Sequence, residues 1–140
     1  MVCQCDIQRM SQKPLIDAAQ EKVLSLAGEV QFAPNGIVSR TLLQTPNLRA
    51  VLFGFAEGQE LTEHTSTQHA LVQILSGECD FSLDGKSNHL TAGDTLYMPP
   101  NLRHAVKALT QFSMLLILSK PEKAASLTLP RLETTSLAAV

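Results

Sequence analysis

The sequence predicts an all-β domain, a sandwich or barrel of short strands. Seven short runs with strand-like apolar content follow one another between residues 30 and 120. Turn-forming residues separate them, and no long helical period lies between them. At 140 residues the chain has the length of one domain. A chain of this size buries roughly two-thirds of its unfolded surface, enough for a single core.

Three zones divide the chain. Residues 1–29 form an N-terminal extension in which Pro14 opens a stretch with Leu15, Ile16, Ala19 and Val23 at helical spacing, closed by Gly28. Pro in the first turn and Gly past the last predict a short helix, although VLSLA at 23–27 also alternates like a strand. Residues 30–120 are the β domain. Its candidate strands are Ile37–Leu43, Ala50–Phe55, Ala70–Leu75, Cys79–Leu83, Thr95–Met98, His104–Ala108 and Phe112–Leu118. The connections carry PNG at 34–36, TPN at 45–47, EG at 57–58, SGE at 76–78, DG at 84–85, AGD at 92–94 and PPN at 99–101. Asp84-Gly85 is the strongest hairpin signal, because both central positions of that turn require positive φ. Within CDFSL, Cys79 and Phe81 point one way and Asp80 and Ser82 the other, as in a sheet with one buried face. Residues 121–140 form a C-terminal tail, either docked or disordered.

Composition excludes several classes. Eleven Lys and Arg against thirteen Asp and Glu give a net charge of −2, and with no basic block the chain offers no footprint for nucleic acid. The longest apolar run, Met114 to Leu118, is too short to cross a bilayer, so no membrane partner is expected. The N-terminus MVCQCDIQRM lacks the apolar core of a secretion signal, and three cysteines make no disulfide framework. A reduced, cytoplasmic setting is the expectation. Cys3-x-Cys5 has the chemistry to bind a soft metal, but without a His cluster nearby chance occurrence is the plainer reading. Cys79 reads as a small buried hydrophobe. The chain has no G-x-S-x-G nucleophile elbow, no phosphate loop and no dinucleotide fingerprint.

Two segments carry a resemblance. Residues Gly58 to Gly77 read GQELTEHTSTQHALVQILSG, and Gly93 onward reads GDTLYMPPNLRHAVKA. The first resembles the cupin superfamily's first motif (Gly, five residues, His-x-His, three or four residues, Glu, six residues, Gly) at Gly58, His64 and Gly77. The second resembles the family's second motif (Gly, five residues, Pro-x-Gly, two residues, His, three residues, Asn) at Gly93, Pro99 and His104. Fifteen residues separate them, as in small single-domain bacterial cupins, and the likeness covers roughly residues 35–118. It implies a double-stranded β-helix, the jelly-roll barrel of that family, with the site in its interior.

The departures bear on chemistry. Metal-binding cupins supply His-x-His, a Glu or Gln, and a third His. Here Ser66 stands at the second His position and Ala70 at the Glu position. Asn101 replaces the Gly after Pro, a tolerable change because Asn also enters the left-handed region, and Ala108 replaces the terminal Asn. Only His64 and His104 remain of four ligand positions. Two imidazoles hold a divalent ion, such as Fe, Mn, Ni, Cu or Zn, only when water, substrate or another side chain completes the sphere. His69 is the candidate third ligand. In an unbroken strand His64, Ser66, Gln68 and Ala70 share a face and His69 points away, so His69 reaches the site only if a bulge in TSTQH reverses parity. Gln68 is the alternative oxygen donor.

The remaining polar candidates have plainer readings. His89 reads as a strand-surface histidine, and Glu60 and Glu63 as solvated loop acids. Arg103 is an anchor for an anion only if it escapes the alternation that turns it away from His104. Phe53, Phe55, Phe81, Phe112 and Tyr97 read as core and barrel lining, and with Met98, Met114 and Leu75 some of them would make a pocket apolar.

Three functional readings stand together, since one fold hosts many activities. One is a protein binding a small molecule, with an incomplete metal site at His64 and His104. Another is a metal-dependent dioxygenase or isomerase using His64, His104 and His69, with chemistry at open coordination positions. The third is a non-catalytic structural or interaction module. A homodimer is expected from the family likeness and from the first strand, IVSRTLL, whose edge needs covering.

Overall fold

The computed structural model describes residues 7–9 and 13–122. Among these, β1 (Ile7–Arg9), α1 (Leu26–Glu29), β2 (Ile37–Gln44), β3 (Leu48–Phe55), β4 (Glu60–His64), β5 (His69–Ser76), β6 (Glu78–Leu83), β7 (Lys86–Thr91), β8 (Thr95–Met98), β9 (His104–Ala108) and β10 (Phe112–Ser119) follow in chain order. They form two sheets, one in the order β1-β2-β3-β10-β5-β8 and one in the order β4-β9-β6-β7. Apart from the parallel β1–β2 pair, every pairing is antiparallel. The all-β jelly roll is therefore as expected, and all seven candidate strands form. Cys3 and Cys5 and the chain beyond residue 122 lie outside the described residues. No helix among those described is long and apolar enough to cross a membrane.

Two strands lack an apolar signature. Glu60–His64 and Lys86–Thr91 belong to the smaller sheet, where ELTEH and KSNHLT turn mostly polar side chains to solvent. Their inward contributions are Leu61 and Leu90, which pack on the core. One inward residue per strand is too little for periodicity to register.

The core lies between the sheets. Ile37, Phe55, Ala70, Val72, Ile74, Met98, Phe112 and Met114 of the larger sheet meet Cys79, Phe81, Val106 and Ala108 of the smaller one. Phe55 and Phe112 are fully buried and stack with centroids 4.6 Å apart, and each such ring contributes about 1.5–3 kcal/mol through burial alone. Cys79 is fully buried, as expected. Burial first, then the charges of Asp80 and Asp94, push its thiol up to about 12, so the thiolate needed for reactivity is suppressed.

The N-terminal extension departs from the expected helix. Among the described residues, helical structure is confined to Leu26–Glu29, with Gly28 inside it, and 23–27 forms no strand either. Ala19 is exposed and Val23 is 98% exposed, so the helical spacing has no surface to bury against. Leu15 and Ile16 instead donate their backbone N–H groups to Thr41 and Leu42 at the edge of β2, at 3.0 and 2.8 Å. Together with β1, which pairs with Ile37–Ser39, they cover the edge that IVSRTLL would otherwise present. Leu15, Ile16, Leu24, Leu26 and Val30 then pack on Leu42, Ala50 and Leu52, on the outer face of the sheet.

Turn chemistry is as the sequence requires. Asp84 and Gly85 both take positive φ, 52° and 86°, and Leu83 pairs with Lys86. Asn101 takes φ 69° where the family motif has Gly. Gly77 adds a second constraint to its φ of 78°: a Cβ there would stand 2.1 Å from the Gln111 carbonyl oxygen. Gly58 has φ 85° but open space around it. Gly77→Ala is therefore expected to cost more than about 2 kcal/mol and Gly58→Ala only about 1–2 kcal/mol. Urea denaturation of the two variants checks this ordering.

Candidate functional site

A register slip brings His64 to the site. Leu61 pairs with Val106 and packs on the core. Strict alternation from Leu61 would carry Glu63 inward and His64 outward. The β4–β9 pairing shifts by one residue between Leu61 and His64, so His64 comes opposite His104. His104 shares its strand face with Val106 and Ala108, both buried. The two imidazoles meet edge to face, with centroids 4.3 Å apart and planes at 60°, where β4 ends and β9 begins.

Both rings are held by the same device. His64 Nδ1–H donates to the Thr62 carbonyl at 2.7 Å, and His104 Nδ1–H donates to the Leu102 carbonyl at 2.9 Å. A carbonyl only accepts, so each neutral ring carries its proton on Nδ1 and leaves a lone pair on Nε2. Burial pushes the His104 pKa below the ordinary histidine value and the neighbouring His64 adds to this, against the opposing hydrogen bond to Leu102. The site is thus a pair of imidazoles of which His104 is biased to neutrality. Such a pair accepts hydrogen bonds, takes up a proton or donates two lone pairs to a cation. The backbone carbonyls supply the outer hydrogen bonds that fix a metal-ligating tautomer.

The donor set suits a divalent transition metal at these two positions and not at the family's other two. Ala70 faces the core with no donor atom. Ser66 lies in the loop after β4, where its Oγ accepts from the Gln68 N–H at 3.1 Å and its carbonyl from the Asn101 N–H at 2.6 Å. No group of three or more His, Cys, Asp or Glu side chains among the described residues is placed to hold a metal.

The expected third ligand is elsewhere. Residues 65–68 form no strand, and β5 begins at His69 with Ala70, Val72 and Ile74 turned inward. His69 therefore lies on the outward face, where its Nδ1 is 2.8 Å from the Tyr97 hydroxyl. The bulge that would have reversed its parity falls earlier, inside β4. Tyr97 is likewise on the outside, 53% exposed and paired with Leu71, which corrects its reading as core. Phe55, Met98 and Met114 are buried in the core, and Phe53 packs half-buried against them. All four belong to the apolar core between the sheets.

Charges near the pair are accounted for. Arg103 binds Asp84 through Nη2 at 2.7 Å and stands 3.9 Å from Glu63, so it is engaged on the surface beside His104. Glu60 is exposed opposite Lys107. His89 is exposed with Nε2 3.0 Å from Glu78, the strand-surface histidine the sequence suggested. One residue escaped the sequence reading. Arg49 shares its β3 face with Phe53 and Phe55, the interior face, and with Gln68, Leu118 and Lys120 it lines a groove of about 170 Å³. Its place was readable from the alternation Arg49, Val51, Phe53, Phe55.

The chain's relatives agree with this architecture. Residues 51–119 match the family model described as the cupin domain. A conserved protein of unknown function from Streptococcus pyogenes is 37% identical, with TM-score 0.70, over 81% of this chain and 98% of that one. A cupin superfamily protein from Desulfitobacterium hafniense is 30% identical, with TM-score 0.68, over 73% and 94%. A cupin conserved-barrel protein from Leptotrichia buccalis is 37% identical, with TM-score 0.66, over 69% and 47%. No curated protein matches the sequence.

The lowered His104 value makes stability depend on pH with a definite sign. The folded chain holds that proton less tightly than the unfolded chain, so unfolding takes up a proton and stability rises with pH. The contribution is complete above the ordinary histidine value and is lost as pH falls below it toward the lowered one. Urea midpoints of metal-free protein between about pH 5 and 8 should fall on the acid side. His104→Gln should flatten that slope.

Proposed function

Because the chain belongs to the cupin superfamily, we propose that it binds a small molecule at the end of the barrel between His64 and His104. In this reading a divalent transition metal is held by the same two imidazoles. One observation carries the proposal: each ring spends its Nδ1 proton on a backbone carbonyl two residues earlier, leaving two Nε2 lone pairs on rings 4.3 Å apart. A purely structural pair would not need both tautomers fixed in the same sense. On its inner side the pair adjoins a barrel core that is apolar, as the surroundings of small-molecule sites usually are.

With only His64 and His104 as protein donors, the bound molecule itself supplies further donor atoms to the metal. The ligand is then a chelating oxygen or nitrogen compound. A metal held there acts as a Lewis acid toward the molecule that completes its sphere. The chain's own residues orient the two imidazoles, keep His104 neutral near pH 7 and exclude water on the side of the barrel core.

Elemental analysis of protein purified without chelator, with zinc and nickel titrations, tests the metal. Uptake near one ion per chain is expected. His104→Ala should weaken it roughly 100-fold or more, since even outer hydrogen-bond partners are worth 10–100-fold. The double variant Ser66→His/Ala70→Glu, which restores the family's donors, should tighten it. Should only that restored variant take up metal, the metal half of the reading fails and the pair is an organic-ligand site.

A further inference from the structure

The larger sheet has a second apolar face, on the outside of the barrel, and it is incompletely filled. Val38, Gly54, Ser113 and Ser76 form one row across four strands of it. Residues 27–32 cross this row and leave a cavity of about 350 Å³, lined by Ala27, Val30, Phe32, Leu75, Ser76 and Ser113. This volume falls within the range of small-molecule sites.

Two contacts keep residues 27–32 from sinking into the space. A Cβ on Gly54 would stand 2.1 Å from the Gln31 carbonyl oxygen, so at that point backbone already rests on backbone. The Arg40 guanidinium donates to the Glu29 carbonyl at 2.8 Å and pairs with its carboxylate at 3.2 Å. The height of the segment is therefore fixed at residue 29 and at residue 31, and the gap beside them persists.

The polar floor is also built. Met114 pairs with Ile74 but Ser113 pairs with Ser76, so Leu75 is an extra residue in β5. Without that bulge Ser76 would share the inward parity of Ile74; with it, Ser76 turns outward beside Ser113. The two hydroxyl oxygens are 2.7 Å apart, and Ser113 is only 2% exposed. Each hydroxyl has one proton. One proton makes the mutual bond, and in either orientation the other is uncommitted among the described residues, where neither side chain has a further partner. Ser76 is exposed, so when Ser113 donates to it the spare proton stands at the open side of the cavity, where an acceptor on a bound molecule would take the place of water.

We propose that this cavity binds a small, mainly apolar molecule carrying one acceptor oxygen, such as a ketone or ester, which takes the spare proton of the Ser76–Ser113 pair while its body lies against Ala27, Val30, Phe32 and Leu75. The site is independent of the histidine pair, on the opposite side of the larger sheet.

Fluorescence titration of the full chain with the naphthyl ketone prodan tests it. Saturable binding is expected, with a blue shift and with amide NMR shifts confined to residues 27–32, 75–76 and 113. Ser76→Ala/Ser113→Ala keeps the cavity and removes the donor, so affinity should fall about 3- to 10-fold. Ala27→Leu, which fills the cavity from the exposed side, should abolish binding, and it leaves the core untouched should Ser113 variants fold poorly. Equal affinity in the serine-free variant, NMR shifts elsewhere, or no saturable binding would overturn the proposal. So would a probe signal that falls as sedimentation shows self-association, because a second copy would then be the occupant.

Discussion

Strand parity is the constraint on which this molecule depends. A strand alternates its side chains strictly, and one extra residue sends everything beyond it to the other face. The barrel uses that rule at three places. The slip at Leu42 in β2 gathers Leu42 and Leu43 on the outer face, under the N-terminal segment. The slip after Leu61 in β4 brings His64 to His104, and the slip at Leu75 in β5 brings Ser76 to Ser113. Elsewhere the alternation runs unbroken and simply builds the core. Both places with convergent polar chemistry lie next to a bulge, as bulges next to functional sites generally do.

The outer face of the larger sheet explains the N-terminal extension. A sheet with Leu52, Ala50, Leu115 and Ile117 on its outside cannot be left wet, and Leu15, Ile16, Leu24, Leu26 and Val30 cover it. The same segment satisfies the β2 edge through β1 and the N–H groups of Leu15 and Ile16. The edge that argued for a partner subunit is thus met within the chain, and a homodimer has to rest on other surfaces, such as the outward pair Leu71 and Tyr97.

At the histidine pair, local geometry and burial act in one direction. Each Nδ1 is committed to a carbonyl two residues earlier, and burial favours the uncharged form of His104. The two rings therefore each keep an Nε2 lone pair, and no acid stands at the family's other ligand positions, since Ala70 and Ser66 occupy the places of a carboxylate and an imidazole. A divalent cation there would find two neutral protein donors, so water or a bound molecule would have to complete its sphere.

Much of this was legible in the sequence by itself. The seven apolar strands, the Asp84-Gly85 hairpin and the buried Cys79 follow from period and turn chemistry, which are local properties. The resemblance to the cupin motifs, carried by Gly58, His64, Gly77, Gly93, Pro99 and His104, also implied the missing donors at Ser66 and Ala70. Tertiary structure alone decided the rest. His69 went to the outer face because the bulge falls in β4 rather than in the loop after it, and the helical spacing of residues 14–28 lost to a sheet that needed a cover. The row of Gly54, Ser113 and Ser76 exists only once four strands lie side by side. Parity can be counted along one strand, but where it resets depends on the strand it is paired with, and that partner is far away in the sequence.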